Sequence, residues 1–306
     1  MKTVVLAYHN MGIAGLNALF QQGFDIIAIF THEDDPGENC WFGSVKDWAL
    51  LHDIPCYMPA NINAQEWINK ISSLKPDVLF SFYYRKMVST KILEIPRLAA
   101  LNLHGSLLPA YRGRCPVNWV LVKGESRTGV TLHFMVEKPD AGDIVGQRAV
   151  RIGSDDTART LYDKLCIAAG DLLNDLLPVI KTGQIPRIKQ DLAKGSYYGG
   201  RSPEDGRIDW SLSAHEIYNL IRAVTDPYPG AFSITENGEK IIVWWGKPEK
   251  LNIKKDPGGV VTFGQDVLVE TGNHAIQLLD IEVRGKRMRG LQISEYFRTG
   301  KVTKLK

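Results

Sequence analysis

Three polar side chains are the predicted centre of this protein's chemistry: Asn102, His104 and Asp140. Asn102 and His104 are two residues apart on a short apolar run, so a strand there presents both side chains on one face. Asp140 follows a second strand-like run, residues 129–136, in a loop that Pro139 and Gly142 restrict. An amide that donates to an oxyanion, an imidazole that holds or moves a proton, and a carboxylate that sets its charge and tautomer suit acyl transfer to an amine.

Each of these residues also has an ordinary structural explanation. A lone Asn at a strand end is usually a turn former, a lone His is usually partly buried, and Pro-Asp-Ala-Gly is usually just a loop; only the combination indicates catalysis. The first run stops at Gly105. His104 is therefore expected at the carboxyl edge of an open α/β sheet, where such folds place their sites.

Composition describes an ordinary globular protein. The 306 residues are 44% hydrophobic and 23% charged, which fits about two domains without a disordered or membrane-spanning segment. The apolar start, residues 1–7, is too short for a signal peptide and is interpreted as a first buried strand. Four cysteines without close pairing predict free thiols, no metal site and a cytoplasmic location.

Strand-like and helix-like segments alternate through the first half of the chain. This rhythm predicts an α/β fold, a Rossmann-like domain with a mostly parallel sheet and right-handed crossovers. Strands are expected at 3–8, 24–31, 55–57, 77–82, 100–103 and 129–136, and helices at 11–22, 44–52, 64–74, 89–95 and 157–181. The pattern around Gly12 and Gly15 lacks the full dinucleotide-binding motif, so no dinucleotide cofactor is indicated.

The second half has the composition of a smaller β-rich domain. Residues 184–209 are rich in Pro, Gly and scattered charge, which is typical of loops. After a helix at 213–224, strands are expected at 231–235, 240–245, 259–262, 267–271 and 275–283, a spacing that indicates a small barrel or sandwich. We therefore predict a catalytic domain at 1–190, a linker at 191–209 and an OB-like C-terminal domain at 210–306.

The motif around the three polar residues resembles that of a known family. Asn102-x-His104, then Ser106 to Pro109, Tyr111-Arg112-Gly113 and later Asp140, is similar to the pattern of the 10-formyltetrahydrofolate-dependent formyltransferases. This family includes methionyl-tRNA formyltransferase, glycinamide ribonucleotide transformylase and the sugar-nucleotide N-formyltransferases. Further similar segments are 7–12, 30–32, 36–38, 43–45, 80–85, 118–122 and 222–227. They are most similar to the bifunctional polymyxin-resistance branch, which formylates UDP-4-amino-4-deoxy-L-arabinose for lipid A modification of lipopolysaccharide.

The resemblance implies a substrate pair and a set of binding residues. The co-substrate would be 10-formyltetrahydrofolate, without a metal, and Asn102 with protonated His104 would stabilise the developing oxyanion. Folate binding is implied for Lys86, Met87, Val88, Leu107, Leu108, Arg114, Val136, Glu137, Lys138 and Pro139. Substrate binding is expected at Tyr8, Arg85, Arg112, Arg201 and Tyr228. For the arginines, anion binding and ordinary solvent exposure are equally plausible explanations.

The amine substrate is predicted from charge. Residues 32–39 carry four carboxylates at the position where the tRNA enzyme has a basic loop, which disfavours an RNA partner. A 4-amino sugar linked to UDP is therefore expected, with no nucleic-acid partner and no membrane insertion. A dTDP-4-amino-4,6-dideoxy sugar is the first alternative.

Two hypotheses from other classes stay open. A methionyl-tRNA formyltransferase would use the basic cluster at 284–306, although a solvated surface explains such a cluster at least as well. The second is a non-catalytic sugar-nucleotide binding module. Whether the chain forms a homo-oligomer or belongs to a larger bifunctional chain is open as well.

Overall fold

The computed structural model describes residues 1–306, which form two compact units. The first unit comprises Met1–Pro116, Arg127–Ile152 and Tyr162–Gly199, and the second comprises Val117–Ser126, Gly153–Leu161 and Gly200–Lys306. The units thus interleave along the chain, whereas the sequence predicts one division near residues 191–209. None of the helices is both long and apolar enough to cross a membrane.

A seven-stranded sheet forms the centre of the first unit, in the order β3-β2-β1-β4-β5-β7-β8. Its strands are β1 (Lys2–Ala7), β2 (Asp25–Phe30), β3 (Cys56–Tyr57), β4 (Val78–Phe82), β5 (Ala99–His104), β7 (Arg127–Phe134) and β8 (Ile144–Arg151). The first five are parallel, while β7 and β8 run antiparallel at one edge. The predicted α/β class with a mostly parallel sheet is confirmed.

Helices connect these strands and cover the apolar sheet. They are α1 (His9–Gln21), α2 (Val45–Leu51), α3 (Gln65–Leu74), α4 (Thr90–Leu93), α5 (Pro116–Val122) and α6 (Ala158–Lys181). Val4, Leu6 and Leu79 are fully buried in the sheet, because parallel strands are covered on both faces. Ser44 caps α2 by accepting the Asp47 N–H, as the sequence predicts.

The register between strands β5 and β7 determines which side chains lie beside Asn102 and His104. Asn102 is paired with His133 and His104 with Thr131. Because β7 is antiparallel, it ends beside Leu101, and the loop 135–143 must turn back for Asp140 to reach His104. In this loop Gly142 is required, since a Cβ there would lie 2.0 Å from the carbonyl oxygen of Phe134.

A segment of the expected linker is ordered against the first unit. Residues 188–198, which we call the strap, begin with a bridge between Ile188 and Ile144. They continue through a 3-10 helix, Leu192–Lys194, to β9 (Tyr197–Tyr198), which is parallel to the short strand β6 (Arg112–Gly113). The strap therefore reaches the loop that follows β5.

The second unit contains a six-stranded antiparallel sheet in the order β10-β11-β14-β13-β12, with β15 paired to β14. Its elements are a 3-10 helix (Pro203–Gly206), α7 (Ala214–Val224), β10 (Ala231–Ile234), β11 (Lys240–Glu249), β12 (Val260–Phe263), β13 (Asp266–Glu270), β14 (Ala275–Val283), β15 (Lys286–Arg289) and α8 (Leu291–Thr299). Ser213 and Glu216 form a capping box at the start of α7. The predicted β-rich character of this part is confirmed.

Candidate active site

The structure brings the three predicted catalytic side chains together. His104 is the last residue of β5 and is 7% exposed, and its Nδ1 lies 3.5 Å from Asp140 Oδ1. Asn102 Nδ2 lies 3.5 Å from the same oxygen, across 38 positions of sequence. The amide, the ring and the carboxylate thus meet at the carboxyl end of β5, as expected, and their catalytic roles stay predictions.

The hydrogen-bond network assigns the protons of His104. Its Nε2 lies 2.8 Å from the carbonyl oxygen of Tyr111, which can only accept, so Nε2 carries a hydrogen. This bond fixes the ring and leaves Nδ1 as the nitrogen that can gain or release a proton. The 3.5 Å between Nδ1 and Asp140 is long for a hydrogen bond, so a substrate atom near both groups can compete for the proton.

His133 is a member of the cluster that sequence reasoning missed. It is 2% exposed on β7, and its Nδ1 lies 2.8 Å from the Phe134 carbonyl oxygen. Its Nε2 then accepts from Asn102 Nδ2 at 3.1 Å and lies 3.4 Å from Asp140 Oδ1. His133 therefore fixes the orientation of the Asn102 carboxamide, with one N–H toward His133 and the other near Asp140. Only the strand register could have pointed to it.

Asp140 is held as an ionised carboxylate. Burial would by itself raise the pKa of this carboxyl, but the charge of His104 and the N–H of Gly113 lower the pKa well below its usual value. Gly113 N donates to Asp140 Oδ2 at 2.8 Å. The Asp140 backbone has a φ of 52°, a left-handed conformation that surrounding contacts must maintain.

The predicted folate residues lie in the first unit. Met87 and Val136 are 61% and 45% exposed apolar side chains, whereas Val88 and Leu108 are buried. The Lys86 ammonium donates to the carbonyl oxygens of Pro59 and Ala60, so it is occupied by protein acceptors. The remaining members are Leu107, which is partly buried, the exposed Glu137 and Lys138, the partly buried Pro139, and the exposed Arg114, whose N–H donates to Tyr198.

The side chain of Asn63, which was not predicted as a site residue, fixes segment 86–89. Asn63 Nδ2 donates to the Met87 carbonyl oxygen at 2.9 Å, and Asn63 Oδ1 accepts the Ser89 N–H at 2.8 Å. No hydrogen bond within the protein uses the backbone groups of Lys86 or Val88. These backbone groups are therefore available to a ligand.

Three of the predicted substrate residues also lie in the first unit, in different environments. Arg85 is already paired with Glu38 through two hydrogen bonds of 2.6 and 2.8 Å, and its guanidinium lies 4.7 Å from the Tyr8 ring. The Tyr8 hydroxyl donates to Asp34. Arg112 is 7% exposed, and its Nε and Nη1 have no hydrogen-bond partner. A buried guanidinium of this kind would be stabilised by an anion.

Arg201 and Tyr228 belong to the second unit. Arg201 donates to the Asp205 carbonyl oxygen at 2.8 Å and lies 4.6 Å from the Trp119 ring. Tyr228 lies in the turn after α7, where its N–H donates to Thr225. A cavity of about 470 Å³ in this unit is lined by Trp210, Pro257 and Leu305 but by none of the predicted site residues.

A polar cavity of about 290 Å³ lies at the ends of β1 and β2, lined by Tyr8, Thr31, His32, Asp34 and Lys46 among others. Burial, followed by the charges of Lys86 and Arg85, lowers the pKa of His32 to about 4. The His32 Nε2 accepts the Arg85 N–H at 3.0 Å and its ring stacks on Tyr84, which fits a neutral imidazole. This cavity therefore contains a histidine that resists protonation at mildly acidic pH.

The His32 environment predicts a pH-dependent loss of stability. Below pH 6.5 His32 of the unfolded chain binds a proton, whereas His32 of the folded chain does not bind one until about pH 4. The free energy of unfolding therefore decreases as the pH is lowered through this window. His32→Gln keeps a hydrogen-bond acceptor but has no group that titrates in this window. Between pH 7 and pH 4.5 its free energy of unfolding is expected to decrease by about 1–2 kcal/mol less than that of wild type, after allowance for partial exposure. Urea unfolding at both pH values measures this, with the exposed His215→Gln as control. Parallel losses in His32→Gln and wild type would contradict the assignment.

The formyl transferase family profile matches residues 1–177, and the formyl transferase C-terminal domain profile matches residues 201–299. The N-formyltransferase from Helicobacter canadensis, solved with folinic acid and dTDP-3-aminofucose, is 21% identical with a TM-score of 0.72, covering 91% of this chain and 98% of that chain.

Two other solved structures are similar in fold. WlaRD, a sugar 3N-formyl transferase solved with dTDP and 5-N-formyl-THF, is 21% identical with a TM-score of 0.70, covering 94% of this chain and 98% of that chain. HypX from Aquifex aeolicus, in complex with tetrahydrofolic acid, is 18% identical with a TM-score of 0.66, covering 98% of this chain and 48% of that chain. At these identities the structures show a shared fold. Because the first profile spans more than half of the sequence, the chain belongs to the formyl transferase family.

Proposed function

We propose that this chain transfers the formyl group of 10-formyltetrahydrofolate to the 4-amine of a nucleotide-linked amino sugar, with UDP-4-amino-4-deoxy-L-arabinose as substrate. The product is the 4-formamido sugar for lipid A modification. The observation that carries the proposal is the meeting of Asn102, His104 and Asp140 at the end of β5. Family membership and the two sugar N-formyltransferases of similar fold support it.

The residues present fit a folate. The unused backbone groups of Lys86 and Val88 offer donors and acceptors to the polar edge of a pterin, and the exposed Met87 and Val136 offer apolar contact to its rings. The three solved proteins of similar fold named above contain folinic acid, 5-N-formyl-THF and tetrahydrofolic acid, respectively. The bound donor supplies an activated formyl group, and the chain supplies its orientation and the movement of protons.

The chemistry follows from the assigned protons. As a neutral amine forms its bond to the formyl carbon, the formyl oxygen gains negative charge, and Asn102 Nδ2 and His104 Nδ1 are the donors placed to stabilise it, each by about 3 kcal/mol. The amine then loses one proton and the departing folate nitrogen gains one. His104 Nδ1 carries a proton while it donates to the formyl oxygen, gives this proton to the departing folate nitrogen and then takes one from the amine, since Nε2 is fixed by Tyr111. The Asp140 carboxylate stabilises the charged ring.

Charge on the described surface favours a sugar nucleotide over tRNA. In the second unit, Arg287 and Arg289 pair with Asp280, and Arg284 pairs with Glu239, so three of the eight basic residues of the cluster at 284–306 are engaged by carboxylates. In the first unit, the buried Arg112 is suited to a diphosphate or a folate carboxylate. The solved complexes with dTDP ligands keep a dTDP-linked 4-amino sugar as the second candidate.

The identity of the amine is tested by a substrate panel. UDP-4-amino-4-deoxy-L-arabinose, a dTDP-4-amino-4,6-dideoxy sugar, a dTDP-3-amino sugar and methionyl-tRNA are each incubated with 10-formyltetrahydrofolate, and the product is analysed by mass spectrometry. We expect the UDP sugar to have the highest kcat/KM. A dTDP sugar turned over faster would replace the UDP assignment, and formylation of none of the sugars would refute the function.

The role of Asn63 provides a test of the folate site. Asn63→Ala removes both hydrogen bonds that fix Met87 and Ser89, and each is worth about 1 kcal/mol. The KM for 10-formyltetrahydrofolate is therefore expected to rise about 10-fold while kcat changes less than about 2-fold. Steady-state kinetics measure both values, with the exposed Asn69→Ala on α3 as the matched control. An unchanged KM for the formyl donor would exclude segment 86–89 from the folate site.

A further inference from the structure

The strap, residues 188–198, contacts both loops that complete the catalytic cluster. Its first contact is Gln190, which is 7% exposed and donates from Nε2 to the carbonyl oxygens of Asp140 at 3.0 Å and Gly142 at 2.5 Å. Both acceptors belong to the loop that carries the catalytic carboxylate. Gln190 thus fixes the backbone of the loop that carries Asp140.

The second contact is Ser196. Its hydroxyl accepts the Tyr111 N–H at 2.8 Å, and its carbonyl oxygen accepts the Arg112 N–H at 3.0 Å. The Tyr198 ring stacks on Tyr111, with centroids 5.1 Å apart. Since the Tyr111 carbonyl fixes His104 and the Gly113 N–H holds Asp140, the strap supports the partners of both catalytic groups.

Backbone conformation shows why these loops need support. Asp140 and Tyr111 have φ values of 52° and 57°, and a left-handed conformation costs a non-glycine residue about 1–2 kcal/mol. Such a conformation persists only where neighbouring contacts maintain it. Gln190 maintains it at Asp140, while its own Oε1 is buried without a hydrogen-bond partner. An unpaired buried oxygen destabilises a fold, so stability alone does not explain a glutamine here.

We propose that Gln190 is a positioning residue, which sets the distance between the Asp140 carboxylate and His104 through its two hydrogen bonds to the Asp140 loop. This inference rests on the proposed formyl transfer. It assigns a role in that reaction to a residue of the strap, a segment that has the composition of a linker. A displacement of the carboxylate by about 1 Å is enough to lower turnover by about 100-fold.

Gln190→Leu tests the role by removing both donors at nearly constant size. We expect kcat to fall about 10- to 100-fold, with the KM for the amino sugar within about 3-fold, because the residues proposed to bind the sugar lie outside loop 135–143. The matched control is Gln184→Leu, an equal change at an exposed position shortly before the strap. A wild-type kcat in Gln190→Leu, or a reduced melting temperature with unchanged kcat, would overturn the proposal.

Gln190→Glu separates hydrogen bonding from packing. The variant is isosteric but places a carboxylate against two carbonyl oxygens, and only its protonated form can donate one hydrogen bond. The ratio of variant to wild-type kcat is therefore expected to rise as the pH is lowered from 8 to 6. A constant ratio would contradict a role through hydrogen bonding.

Hydrogen–deuterium exchange gives a readout that does not need turnover. In Gln190→Leu, amides of residues 135–143 are expected to exchange faster, while those of β1 and β2 are unchanged. If wild-type protein formylates no amine but this loop loosens, the proposed function fails and the positioning contact survives. If wild-type protein is active and the loop keeps wild-type exchange, the positioning inference fails.

Discussion

Replacing His104 by alanine is expected to lower kcat/KM for formyl transfer by about 10³-fold or more, because both the proton relay and one oxyanion donor are lost. The ring contacts the Tyr111 carbonyl oxygen through Nε2 and Asp140 through Nδ1, and neither partner belongs to the central sheet, so its removal is expected to leave the strands of that sheet intact. Circular dichroism and the melting temperature are expected to show a folded protein. Steady-state kinetics with the amine identified by the substrate panel measure the effect.

A matched histidine substitution controls for the His104 variant. His215→Ala changes an exposed histidine on α7 in the second unit and is expected to retain wild-type kinetics. A folded His104→Ala protein with near-wild-type turnover would remove His104 from the mechanism. Loss of activity together with loss of the folded circular dichroism signal would instead identify a structural role.

Asp140→Asn is expected to lower kcat/KM by about 10²- to 10⁴-fold while largely preserving the shape of the loop. The carbonyl oxygen of the new amide can still accept the Gly113 N–H, but the negative charge between His104 and His133 is lost. The pKa of Asp140 is lower in the folded state than in the unfolded chain, where it is about 3.9, so the ionised carboxylate stabilises the fold. This stabilisation is fully present above the unfolded pKa and is lost as the pH falls toward the folded pKa. A modest decrease in melting temperature at neutral pH is therefore expected as well.

A carboxylate in the same loop is the control for Asp140. Asp143 contacts only Arg187 through its side chain, at 3.6 Å, and is more exposed than Asp140. Asp143→Asn is expected to leave kcat/KM within about 2-fold of wild type. Equal losses in the two variants would mean that the charge of the whole loop, and not the carboxylate beside His104, matters.

Most of the first unit was predictable because its strands are buried on both faces. Continuous apolar runs such as Val78–Phe82 and cap residues such as Ser44 mark the strands and helices directly. Strand β8 (Ile144–Arg151) was missed because it is an edge strand, in which exposed and partly buried residues interrupt the apolar pattern. Helix α8 was missed because only Ile293, Ser294 and Phe297 are buried on its short apolar face.

The candidate site was predictable only in part. Asn102 and His104 share a strand face by the two-residue period alone, and the loop after the strand expected at 129–136 linked them to Asp140, a link that the family resemblance then supported. His133 became visible only through its pairing with Asn102 across antiparallel strands, which no single segment encodes. Gln190 was missed because it lies in a polar run with the composition of a linker, and because its contacts are to backbone carbonyl groups.

The most direct test of formyl transfer by this site follows the formyl carbon itself. Wild-type protein and His104→Ala are each given 10-formyltetrahydrofolate labelled with ¹³C in the formyl group, together with UDP-4-amino-4-deoxy-L-arabinose, and the sugar is examined by NMR. We expect a labelled formamide on the 4-nitrogen with wild-type protein and almost none with the variant over the same time. Label that stays on the folate with wild-type protein, or reaches the sugar equally fast with the variant, would contradict it.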